Sequence, residues 1–208
     1  MTPGLSTAAS EVPGLAASGR PRSSRLVTLL ASVLLVLIVL GLYWPTLRYE
    51  FVGWDDDRNV TMNPMVTTPR GLLSIWTTLR GPPGFPHYPL FYTSFWLEHL
   101  LWDTKPSGFH ATNVALHALN AVLVLLVLRR LGQSLSVAWA VALLFAVHPM
   151  QVESVAWITE RKNVLSGAFY LLAFLCYVRH RQTGTYLPGQ TAPPVDLRSF
   201  KPQRRTEM

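Results

Sequence analysis

Long uncharged runs alternate with polar stretches along this chain. The first run, Leu26–Trp44, carries no charge and is long enough to cross a bilayer at ~20 residues. A second, Phe109–Leu128, stops at Arg129-Arg130. A third, Val137–Val147, is short and lies between Gly132 and Pro149, so its span must borrow flanking residues or sit where the membrane is thin. A fourth, Val164–Val178, ends at Arg179-His180-Arg181. The pattern predicts an all-α, multi-pass helical membrane protein with about four spans, near residues 26–45, 109–128, 134–149 and 163–178. The stretch 46–108 forms a long loop. In it, 69–79 starts with Pro69 and places Leu72, Ile75, Trp76 and Leu79 at helical spacing, as a helix lying in the membrane surface would. Residues 90–102 repeat the pattern with more aromatics. Both helices either lie in the interface or cap the bundle. Residues 1–25 and 181–208 are rich in Pro and polar or basic residues, and are expected to be disordered.

Lys and Arg placement sets the orientation. With both termini cytoplasmic, Arg20, Arg22, Arg25, Arg129, Arg130, Arg179 and Arg181 all fall inside. The 46–108 and 150–162 loops then fall outside. The first run lacks a small-residue cleavage site followed by a polar mature start, so it reads as a signal anchor.

Composition agrees with the pattern. Only 14% of residues are charged, against about 25% for soluble domains. The net charge of +7 is no nucleic-acid signal, because the arginines flank spans instead of interleaving with aromatics on one surface. A lone cysteine, Cys176, excludes an intrachain disulfide.

Three features carry candidate chemistry. The first is Asp55-Asp56-Asp57, just past span one. An EF-hand loop fails here, since Val60 stands where Gly is needed and Val66 where a bidentate Glu belongs. A turn or helix cap needs only one acid. Adjacent acids raise each other's pKa, a cost unless a cation, an arginine or a proton is part of the task. A carboxylate here is a candidate general base, and a divalent cation could lie between Asp55 and Asp57. The second feature is a stripe in span two, His110, Asn113, His117 and Asn120, within roughly 80° of arc. It faces protein or a water-filled cavity, and cavity lining is the favoured expectation because the stripe opens on the side of the aspartates. The third is 148–163, where Glu153, Trp157 and Arg161 are spaced to share one helical face and Arg161-Lys162 adds two cations. Acids on two loops together with this pair suit a ligand with an anionic head and a lipid tail. A small ion or proton carrier is disfavoured, because spans three and four hold no ionisable group at their centres.

The strings YPLFYTSFWLEHLLWDTKPSGFHATNVALHALNAVLVLLVLRRLG and FAVHPMQVESVAWITERKNVLSGAFYLLAFLCYVR resemble the GT-C membrane glycosyltransferases that join a membrane region to tetratricopeptide repeats, whose animal members are O-mannosyltransferase-like. The resemblance covers about residues 45–180. It implies a polyprenyl-phosphate sugar donor and a protein hydroxyl acceptor on the non-cytoplasmic face. By position, the family's first-loop acids fall on Asp55 and Asp56, its second-loop acid on Glu153, and its basic pair on Arg161-Lys162. One of Asp55 and Asp56 would deprotonate the acceptor, Arg161 or Lys162 would stabilise the departing phosphate, and His110 and His148 would help place a substrate. Family members carry further spans and repeats of about 34 residues, which are not visible here. Two readings follow: the N-terminal part of an enzyme completed by a downstream-encoded second half, or a non-catalytic module keeping the family's shape. The sequon Asn59-Val60-Thr61 beside the acids favours a bacterial inner membrane over an endoplasmic reticulum.

Overall fold

The computed structural model describes residues 22–78 and 86–183, and every regular element among them is helical. The segments expected to be disordered lie outside the described residues, apart from 22–25 and 181–183, which are helical; Leu79 also lies outside them. Helix α1 is Arg22–Tyr43 and continues as a 3-10 turn, Trp44–Arg48. Short helices α2, Pro64–Thr67, and α3, Gly71–Thr77, follow a π turn at Asp57–Thr61. Then come α4, Pro89–Trp102, and the 25-residue α5, Pro106–Arg130. Helix α6, Leu135–Val147, meets α7, Val152–Ala156, through Pro149–Gln151, and α8, Arg161–Thr183, closes the bundle.

Local chemistry places these boundaries. Pro64, Pro89 and Pro106 stand at helix starts, where a missing N–H costs nothing. Ser134 caps α6, its Oγ accepting from Val137 N–H at 3.3 Å. Helix α5 stops at Gly132, whose φ of +87° suits glycine, and Gln133 N–H reaches back to Leu128 C=O at 3.0 Å.

Helix α5 is the centre of the bundle, packed by α1, α6 and α8. Ala138, Ala142 and Ala146 recur every four residues on α6 and are fully buried. Such a small-residue strip lets backbones approach closely. Trp139 Nε1–H ties α6 to Ala31 C=O of α1 at 3.2 Å. The outward faces of α1 and α8 carry exposed Leu29, Leu30, Leu37, Phe169, Tyr170 and Tyr177.

Two helical stretches, Arg25–Arg48 and Pro106–Arg130, are long and apolar enough to cross a membrane. A third qualifies if α6 and Pro149–Ala156, bent by 52° at His148–Pro149, count as one. The expectation of about four spans therefore meets two to three candidates. The apolar part of α8, 164–178, is shorter than ~20 residues and has cations at both ends. The 46–108 segment is not a slack loop. Val60, Val66, Ile75, Phe91, Tyr92 and Phe95 form a second core that closes over Phe109 and Ile158. Leu73, Trp76, Leu97 and Leu101 of α3 and α4 point outward, so these helices both cap the bundle and present an apolar surface.

Candidate functional site

Asp56 is buried and joins two loops far apart in sequence. Val52 N–H donates to its Oδ2 at 2.9 Å, and Thr159 N–H to its Oδ1 at 3.2 Å. Burial pushes its carboxyl above the ordinary range, and the hydrogen bonds from Val52 and Thr159 offset part of that. The leading cause is desolvation, not the neighbouring acids that the sequence suggested.

Asp55, half-buried, instead faces a small cavity of about 110 Å³ with Asn59, Tyr88, Tyr92, Thr159 and Lys162 on its walls. Tyr92 Oη–H donates to Asn59 Oδ1 at 2.9 Å, while Asn59 Nδ2–H donates to Asp55 C=O at 2.8 Å. Burial, with Tyr88 and Asp55 nearby, pushes the Tyr92 hydroxyl up to about 12. It therefore stays a donor at neutral pH. Lys162 lies at the opposite wall, its Nζ 2.6 Å from Glu160 Oε1 and its side chain 42% exposed. Glu160 is 14% exposed and also accepts from Asn163, so the solvent-facing Lys162 is the mobile end of the pair. Next to this cavity runs an open apolar groove of about 560 Å³, between the start of α4 and one face of α8. The two spaces share Tyr88, Phe91 and Lys162, and the groove continues past Leu165 to Phe169.

Arg161, next to Lys162, is fully buried and pointed elsewhere. It is ion-paired with Glu98 and also donates to Asn113 Oδ1 at 2.8 Å, Phe109 C=O at 2.9 Å and Ser94 Oγ at 3.3 Å. Its guanidinium lies 4.4 Å from the Phe95 ring centroid. It joins α4, α5 and α8 and lines neither of these two spaces, so its guanidinium is engaged where an anion grip was expected. Glu98, which the sequence reading passed over, is its buried counterion. Burial pushes that carboxyl up and Arg161 pulls it back in part. The available signal was a single acid in an otherwise apolar and aromatic helix.

Three residues of the span-two stripe bond across the bundle, and one of them, Asn120, also lines a cavity between α5, α6 and α8. Asn113 Nδ2–H donates to Trp157 C=O at 3.0 Å, and Asn120 Nδ2–H to Val164 C=O at 2.8 Å. His117 Nε2 lies 2.9 Å from Ala146 O, between the rings of Tyr43 and Phe145. His110 is buried edge-on to Tyr49. Ala146 and Trp157 offer carbonyls where a helix stops or breaks, and Val164 a carbonyl in the first turn of α8. His148 is exposed, and its Nδ1 accepts from Met150 N–H at 3.2 Å, capping the bend. Glu153 is exposed on α7 and does not line the Asp55 cavity. Glu153, Trp157 and Arg161 share no helical face, because the helix breaks after Ala156 and re-forms at Arg161. Asp57 Oδ1 accepts from Thr61 Oγ1–H at 3.2 Å. Among the described residues no three His, Cys, Asp or Glu side chains converge as metal ligands would.

The chain is 39% identical over 146 residues to the fruit-fly protein O-mannosyl-transferase Tmtc1, covering 67% of this chain and 17% of that one. It is 32% identical over 165 residues to the nematode protein O-mannosyl-transferase F38B6.6, covering 72% and 23%. With mouse protein O-mannosyl-transferase TMTC1 the match is 37% over 187 residues, 86% of this chain and 19% of the mouse protein. The chain belongs to the TMTC-like O-mannosyltransferase family, as its N-terminal part. It spans about a fifth of the length of the curated TMTC relatives it matches. No family model matches the chain, and no solved structure matches it. The sequon's Asn59 is 4% exposed, and both ends of its amide are bonded inside the fold.

Proposed function

We propose that the chain is the N-terminal part of a membrane glycosyltransferase that moves a sugar from a polyprenyl-phosphate donor to a protein hydroxyl on the non-cytoplasmic face. The observation that carries this reading is the continuity of the Asp55–Lys162 cavity with the apolar groove along α8. The groove suits an isoprenoid chain, and Lys162 stands where that chain would meet its phosphate. The names of the relatives supply the sugar, mannose, and the protein acceptor.

In this scheme Asp55 takes the proton of the acceptor hydroxyl. The oxygen attacks the anomeric carbon as the bond from that carbon to the phosphate oxygen breaks, with inversion. The phosphate leaves with the electron pair, and Lys162 exchanges Glu160 for it. Asp56 positions the reacting loop by fixing it to Thr159. Arg161 holds the floor of the site and touches neither substrate. Glu153, His110, His148, Asn113 and His117 have no substrate contact in this scheme, and no cation is required. The membrane arrangement is four spans, α1, α5, the bent α6–α7 pair and α8, with both termini cytoplasmic, in a bacterial inner membrane. Cations at the ends of α8 would extend to the interface to compensate for its short apolar stretch.

The test has two arms, with the chain in nanodiscs. Titration with a fluorescent polyprenyl phosphate should show binding that Lys162→Ala weakens and Asp55→Asn leaves intact. Mannosyl transfer to a Ser/Thr-rich peptide should vanish with Asp55→Asn. Equal transfer by wild type and Asp55→Asn overturns the base, and equal donor binding by wild type and Lys162→Ala overturns the groove. Donor binding without transfer by any form, with the second half supplied, supports the non-catalytic module.

A further inference from the structure

Helix α8 has a second hollow on its other flank. At 100° per residue, Leu165, Ser166 and Phe169 face the groove described above, and Val164, Gly167 and Leu171 lie on roughly the opposite arc. There α5, α6 and α8 enclose a cavity of about 260 Å³. Its depth is apolar, with Val124, Phe145 and Leu171 on the walls. Its rim is polar but uncharged, made by Gln151, Ser154 and Asn163. No acidic or basic side chain lines it; at the rim Asn163 Nδ2–H donates at 2.8 Å to Glu160 Oε2, and Glu160 is itself neutralised by Lys162.

Asn120 lies between rim and floor. It is 2% exposed, and its Nδ2 is spent on Val164 C=O. Its Oδ1 has no hydrogen-bond partner among the described residues. Gly167 keeps the space open, since a Cβ there would come within 3.2 Å of Asn120 Nδ2. An acceptor oxygen buried without a donor is costly, and a lone water held in a pocket needs two to four polar partners. Below the polar rim the lining of Val124, Phe145 and Leu171 adds no donor to Asn120 Oδ1. The cavity suits a molecule that is apolar for most of its length and brings its own hydroxyl.

We infer that this cavity binds a neutral, hydroxyl-bearing single-chain amphiphile from the bilayer, its head on the Gln151–Ser154–Asn163 rim, a hydroxyl on Asn120 Oδ1 and its chain towards Leu171. The site shares only the rim residue Asn163 with the Lys162 groove and stands whether or not that groove holds a donor. The two flanks of α8 then sort amphiphiles by charge: Lys162 marks the anionic side, and the uncharged rim beside Glu160 marks the neutral one.

The experiment uses the full chain in nanodiscs with two diazirine probes of equal chain length, a monoacylglycerol and a lysophosphatidic acid, and maps the labelled peptides. Monoacylglycerol should label α8 at Tyr170 and Leu171 and α5 near Val124. Leu171→Trp, a filling change at a half-exposed position, should lower that labelling about tenfold and leave lysophosphatidic acid labelling at Phe169 unchanged. Gly167→Ala, which crowds Asn120, should lower it too, and serves if the tryptophan variant does not fold. Labelling by monoacylglycerol that both variants leave unchanged, an absence of labelling on this flank, or stronger labelling there by lysophosphatidic acid would overturn the inference.

Discussion

Arg161 and Lys162 are neighbours in sequence and opposites in structure. Arg161 points into the floor of the bundle, where Glu98, Asn113, Ser94 and Phe109 use its donors. Lys162 points to a cavity and has one exchangeable partner, Glu160. The first region is a closed network and the second an open one. A cation that is fully hydrogen-bonded inside a fold is part of the scaffold, because freeing it would strand its buried partners. A cation that is itself open to solvent can trade its partner for a ligand.

Substitutions ordered by expected effect press on this contrast. Arg161→Ala should be the most damaging, by about 3–5 kcal/mol, since it leaves Glu98 buried without a countercharge. Thermal unfolding in detergent measures it, and a chain as stable as wild type would show the network to be dispensable. Asn113→Ala should cost about 1–3 kcal/mol in the same assay, because Arg161 Nε–H and the Trp157 carbonyl each lose a partner. Lys162→Ala should leave unfolding nearly unchanged and weaken polyprenyl-phosphate binding about tenfold. Lost stability with intact binding would reverse the two roles. Outside this order stands Asp56→Asn, which sets an amide NH2 against one of two backbone N–H donors; it should cost about 1–3 kcal/mol and have a clear effect on pH dependence. The native carboxyl holds its proton more tightly than the unfolded chain does, so ionisation favours unfolding. The stability this contributes is complete below the ordinary value of 3.8 and is lost as pH rises through the raised native value. Melting temperatures across that window should fall less steeply in Asp56→Asn than in wild type, and parallel slopes would mean that Asp56 is not the group responsible.

The long elements were legible because hydrophobic period and helix-stop signals are local. Leu26–Trp44 and Phe109–Leu128 predict α1 and α5, and the short third run with Pro149 behind it anticipates the bent α6–α7 pair. The stripe in α5 was legible as a face, but not as to what covers that face. Spacing says that His117 and Asn120 look the same way. Only the fold reveals Ala146 and Val164 carbonyls opposite them. The three aspartates were equivalent on the page and became distinct through packing, with Asp56 drawn inward to Thr159 and Asp55 left on a cavity. The Glu98–Arg161 pair joins positions 63 residues apart, a separation over which no local rule operates.

The enclosure of Asn59 has a consequence in time. An oligosaccharide can join its amide only before Tyr92, 33 residues further along, has been made and has closed over it. In a host whose machinery modifies sequons during translocation, the fraction of chains carrying sugar at Asn59 would report the race between that machinery and closure of the loop. Slowing closure with Tyr92→Phe, which removes the hydroxyl that holds Asn59, should raise that fraction, and the sugar would then act as a stopwatch left on the finished molecule.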